Sequence, residues 1–94
     1  MDLIEKLRVI IEIVEKYGIK EISYIYTDSY GKSPYIHLES SEFNRVFKEG
    51  YEVSHIKDAS YPWKKSIQLE GFNVFALYSM EEIQGTLWDI KKEA

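Results

Sequence analysis

Residues 72–78 read Phe-Asn-Val-Phe-Ala-Leu-Tyr, a run that is apolar at both parities except at Asn73. Successive side chains of a strand point to opposite faces, so such a run needs cover on both sides and belongs in the middle of a sheet. A central strand in turn requires neighbouring strands and helices, and the rest of the chain supplies both.

The strands are found by period. Residues 20–27 alternate and are rich in aromatic and β-branched types, which suit a pleated, half-buried surface. Tyr35 to Glu39 sets Ile36 and Leu38 on one face and Tyr35, His37 and Glu39 on the other. Tyr51 to Lys57 reads as a third strand with weaker alternation. Ile67 and Leu69 alternate with Ser66, Gln68 and Glu70, and Glu70-Gly71 suits a tight hairpin turn into the central run. Residues 58–64 read as a loop, because Pro62 cannot donate to a ladder and restricts Tyr61.

The helices are found by caps and by the 3.6-residue period. Asp2 and Glu5 are spaced for a capping box, and Leu3, Ile4, Leu7, Ile10, Ile11, Val14 and Tyr17 fall on one face before Gly18 stops the run. Ser40 or Ser41 is expected to cap a short helix reaching Lys48, with Phe43, Val46 and Phe47 inward and Gly50 closing it. Ser79 and Glu82 form a second capping box, and Met80, Ile83, Leu87 and Ile90 stripe the helix that follows. The element order is therefore α-β-β-α-β-β-β-α. It predicts one α+β domain over residues 1–94, built as a mainly antiparallel sheet packed by helices.

Composition bounds the function. There is no cysteine, so disulfides, thiolate metal sites and thiol nucleophiles are all excluded. Small secreted domains lean on disulfides, and no signal-like or membrane-spanning stretch is visible, so a cytoplasmic address without membrane partners is expected. A net charge of −4 argues against a dedicated nucleic-acid surface, which needs clustered Lys and Arg. The five glycines are dispersed and make no phosphate-cradling loop. Gly85 falls inside the last helix and is read as a close-packing position.

No catalytic signature emerges. The serines lie at helix starts or lack a nucleophile elbow, and the paired carboxylates sit in first helical turns, where the dipole favours them. The two histidines allow one numerical combination, His37 and Glu39 with His55, but residues two apart on any strand share a face. No metal, cofactor or catalytic residue is expected, and the chain is expected not to be an enzyme.

Two features exceed what a core requires. Val9 and Ile13 form a second ridge on the opening helix, widening its apolar arc to roughly 220° and marking a surface for self-association, most simply a homodimer. The other is aromatic excess: eight tyrosines, with Tyr30, Tyr35, Tyr61 and Trp63 in turns, loops or an open sheet face. Aromatic residues dominate binding hot spots, so these four with Lys64 and Lys65 are the expected partner-binding surface.

The expectation is a non-catalytic protein–protein interaction module, regulatory, adaptor or inhibitory. Its small size and acidic balance suit an accessory protein of a phage or mobile element acting on a host factor. Two alternatives stay open. Single-stranded nucleic acid is one, with Tyr61, Trp63, Lys64 and Lys65 combining stacking and charge; a small-molecule sensor is the other.

Overall fold

The computed structural model describes residues 2–27 and 34–84. Its elements are α1 (Leu3–Tyr17), β1 (Tyr24–Tyr26), β2 (Tyr35–His37), α2 (Ser40–Val46), β3 (Glu52–His55), β4 (Trp63–Leu69) and β5 (Phe72–Tyr78). A last helix, α3, opens at residue 80 and is described through residue 84. The fold is α+β in the expected order. Among the described residues, no helix is long and apolar enough to cross a membrane.

The strands form one five-stranded mixed sheet in the order β1-β2-β5-β4-β3. All pairings are antiparallel except β2 with β5, which run parallel with Ile36 beside Val74. The hairpin between β4 and β5 turns at Glu70 and Gly71, both with positive φ (49° and 85°). Two successive positive φ values are those of a two-residue hairpin loop matched to the twist of its strands.

One face of the sheet carries the core. Ile36 and Leu38, then Phe72, Val74, Ala76 and Tyr78 of β5, and Leu69 of β4 are buried against Ile10, Ile13 and Ile19, against Phe43 and Phe47, and against Ile83. Burial along β5 alternates strictly, with buried residues at even positions and half-buried ones at odd positions. β5 is thus the central strand, as its composition demands. The described helices all pack on this one face.

The caps formed largely as spaced. Asp2 Oδ1 accepts the Glu5 N–H at 2.8 Å, and Gly18 closes α1 in the left-handed region at φ 67°. Ser79 and Glu82 exchange both bonds of a capping box at 3.0 and 3.2 Å. At α2 the residue before the helix is Glu39 and no side chain caps it, so the expected serine cap is absent. The Ser40 hydroxyl instead donates to the Glu82 carboxylate, tying the start of α2 to the start of α3.

Glu42 of α2 organises the first residues of the expected first strand. Its Oε2 accepts the backbone N–H groups of Lys20 and Glu21 at 2.7 and 2.9 Å, while Arg45 bonds it through Nε at 2.6 Å. Arg45 Nη2 also reaches the Gly18 carbonyl at 2.8 Å. The segment after α1 is therefore satisfied by α2 rather than by a strand ladder, which is why β1 is confined to Tyr24–Tyr26.

The opening helix corrects the reading of its two ridges. Ile13 is 1% exposed and Val9 packs against the core, so neither forms a free surface for self-association. Leu3, Ile4, Leu7 and Ile11, expected inside, are 46–62% exposed. A 220° apolar arc contains both solutions, and the sheet meets the Val9, Ile10, Ile13 and Tyr17 side.

Candidate interaction face

The odd residues of β5 project to the face that the described helices leave open. There they meet the matching residues of β1, β2 and β4. Tyr26 stacks on Tyr35 with ring centroids 5.1 Å apart, and Tyr24 approaches Tyr35 at 6.1 Å. Tyr35 lies 5.3 Å from Phe75, and the His37 ring stacks on Phe75 at 4.7 Å and 8°. Lys64 Nζ closes the row, 4.8 Å over the Phe75 ring. Aromatic and cationic groups thus run unbroken across four adjacent strands.

This row accounts for the two-sided apolarity of β5. Phe75 and Leu77 are half-buried, Phe75 among Tyr35, His37 and Lys64, with no described helix packed on them. Each aromatic contact contributes about 0.5–1.5 kcal/mol beyond the area it hides, so the row is partly self-supporting. Tyr24 remains 55% exposed at the sheet edge.

At the carboxyl ends of β2 and β5 the row runs into a cavity of about 290 Å³, lined by His37, Leu38, Glu39, Ser40, Tyr61, Leu77 and Glu82. Tyr61 is 47% exposed and is positioned by Asp58, whose Oδ1 accepts the N–H groups of Ser60 and Tyr61 at 2.9 and 2.7 Å. Hydrogen bonds from Ser40 and from Ser79 hold the Glu82 carboxyl below its usual range, so it is ionised at neutral pH. Burial pushes the His37 imidazole below its ordinary value, with Glu39 opposing, and the ring is neutral at pH 7.

The expected partner surface divides in two. Tyr35 and Lys64 lie on the open face, and Tyr61 stands at the cavity. Trp63 and Lys65 are corrected: they belong to β4 and point to the core side. Lys65 is 5% exposed, its Nζ 3.0 Å from Asn44 Oδ1 and 4.7 and 4.8 Å from the Tyr51 and Tyr78 rings. Trp63 packs against the core, its indole N–H directed at Met80 Sδ at 3.0 Å and its ring edge-on to His55. Tyr30, Leu87, Ile90 and Gly85 lie outside the described residues.

His55 and His37 stand on opposite faces of the sheet, because His55 pairs with Trp63 and His37 with Phe75. The combination of His37, Glu39 and His55 therefore does not assemble, and no cluster of three ligand-type residues occurs among the described residues.

Sequence reasoning missed Tyr24, Tyr26, His37, Phe75 and Leu77 as members of one surface. The signal was parity: Tyr24 with Tyr26, Tyr35 with His37, and Phe75 with Leu77 each share a face. No family model, no curated protein and no solved structure matches the chain.

Proposed function

We propose that the chain is a non-catalytic protein-binding module whose contact surface is the open face of the sheet. The observation that carries this reading is the aromatic row from Tyr24 through Tyr35 to Phe75 and His37, on the side opposite the described helices. Rigid aromatic groups bury large areas at small entropic cost, and here mutual stacking has already ordered them. The polar rim of Ser66, Gln68 and Asn73 completes the pattern of a protein contact patch.

Stacked aromatics on an open sheet also suit unpaired bases. Charge favours protein: among the described residues Lys64 is the one cation placed on a ring of the row, and the carboxylates of Glu39 and Glu82 lie at its end. A phosphate backbone needs several compensating cations.

The test is capture of a protein from the source cells by the wild type, set beside a Tyr35→Ser, Phe75→Ser double variant and a labelled single-stranded oligonucleotide. The expected result is a protein retained in moderate salt by the wild type and lost by the folded double variant. Oligonucleotide binding that weakens steeply with salt and needs Tyr35 would replace the protein reading with a nucleic-acid one.

A further inference from the structure

The cavity at the end of the aromatic row has a chemistry distinct from the row itself. Its volume, about 290 Å³, sits just under the range of about 300–1,000 Å³ of small-molecule sites, and His37 and Leu77 of the open sheet face are part of its lining. That size suits one side chain better than a metabolite. Among the described residues the lining includes no Lys or Arg and includes two carboxylates, Glu39 and Glu82. Glu82 is engaged by Ser40 and Ser79. Glu39 is exposed and accepts only from the Ser23 hydroxyl, at 3.1 Å, among the described contacts, so its second oxygen is open to a donor.

Aromatic faces add to this. Tyr61 stands half-exposed at the cavity, and the neutral His37 ring lies on Phe75 beside it. Lys64 already demonstrates that this row accepts a cation on a ring face, 4.8 Å over Phe75. A cation placed between a carboxylate and an aromatic ring gains from both. The net charge of −4 supplies the same preference at longer range.

Resting on the protein-binding reading above, we infer that this cavity receives the basic side chain, arginine or lysine, of a partner protein whose neighbouring apolar residues lie along Tyr35 and Phe75. Glu39 is the acceptor that selects the cation, and Tyr61 covers its stem. Glu82 contributes charge without leaving its helix-capping bonds.

The test is a nuclear magnetic resonance titration of labelled protein with two acetylated tripeptide amides, leucyl-arginyl-leucine and its citrulline counterpart. Citrulline keeps the shape of arginine and lacks the charge. The arginine peptide is expected to shift the amides of His37, Glu39, Ser40 and Leu77, and the citrulline peptide to bind about tenfold more weakly. Glu39→Gln, at an exposed position outside any helix, is expected to erase that difference while leaving the spectrum of the core unchanged. Equal binding of the two peptides overturns cation selection, and so does absence of shifts at these four amides. Shifts at Tyr35 and Phe75 that are indifferent to charge would leave the binding face standing and remove only the cation pocket. A charge preference that survives Glu39→Gln overturns the assignment of the acceptor.

Discussion

Lys64 and Lys65 are consecutive in sequence and opposite in environment: Lys64 Nζ lies over Phe75 on the open face, and Lys65 Nζ lies over Tyr78 inside the core. The period of a strand separates them, and their substitutions are expected to separate too. Lys65→Ala removes a buried stem and leaves Asn44 Oδ1 with the Tyr78 hydroxyl alone. Its cost is expected at about 1–3 kcal/mol. Lys64→Ala loses one cation–ring contact, about 0.5–1 kcal/mol. Urea unfolding of both variants checks the order, and a larger loss for Lys64→Ala would contradict the placement.

Much of this was legible. Asp2 with Gly18, Glu70 with Gly71, and Ser79 with Glu82 are local devices, and local devices declare themselves in sequence. What was not legible depended on choices between equivalents. Pro62 argued for a loop through residue 64, yet it lacks only a donor. Its carbonyl accepts the Ile56 N–H at 2.8 Å, and β4 begins at the next residue. Extending the alternation of Ile67 and Leu69 back by two and four places would have put Lys65 and Trp63 inside. The opening helix offered two apolar ridges, and nothing local says which one a sheet will cover. The aromatic row is assembled from four strands distant in sequence, so its parity was visible but its neighbours were not.

Glu42 ties part of the stability to the ionisation of its carboxyl. Its bonds to Arg45 first, and to the Lys20 and Glu21 N–H groups against the opposing effect of burial, hold it at about 2 against an ordinary 4.5. A carboxyl lowered in the fold stabilises above its unfolded value and stops doing so as pH falls through its folded one. Stability is therefore expected to decline from about pH 4.5 towards pH 2. Glu42→Gln is expected to cost about 1–2 kcal/mol at neutral pH and to flatten that decline. Unfolding measured at pH 7 and in the acid range, for both proteins, is the check.

The two ridges of α1 give opposite expectations for equivalent changes. Ile13→Ala opens a cavity in the core and is expected to cost about 2–5 kcal/mol. Leu7→Ala, at a position 46% exposed, is expected to cost less than about 1 kcal/mol. Self-association through this helix is accordingly expected at Leu3, Ile4, Leu7 and Ile11, not at Val9 and Ile13. Light scattering on wild type and on Leu7→Glu reads it directly: a wild-type dimer made monomeric by Leu7→Glu is the expected result, and a dimer indifferent to it would place the contact elsewhere.

The hairpin turn offers a stabilising change. Glu70 adopts a φ of 49°, in the left-handed region that Asn tolerates far better than Glu. Glu70→Asn is expected to raise stability by about 0.5–1 kcal/mol. Gly71→Ala, at φ 85°, is expected to lower it, although nothing lies within 4 Å of the added carbon. The penalty is conformational rather than steric crowding by neighbours. Thermal unfolding of the two single variants should bracket the wild type.

Trp63 is where the aromatic character of the sequence pointed to a contact surface and the fold uses the ring otherwise. It begins β4 on the core side, beside Tyr78 in register, with His55 edge-on and its N–H towards Met80. Trp63→Ala is therefore expected to cost about 3 kcal/mol of stability, the lower end for a large aromatic because the ring is half-buried. Trp63→Phe keeps most of the packing and loses the contact with sulfur, at a cost of about 1 kcal/mol. Partner binding by Trp63→Phe should match the wild type at a temperature where both are folded, whereas Phe75→Ser should lose it there. If Trp63→Phe weakens binding as strongly as Phe75→Ser, the contact surface wraps around the end of β4, and the open face is only part of it.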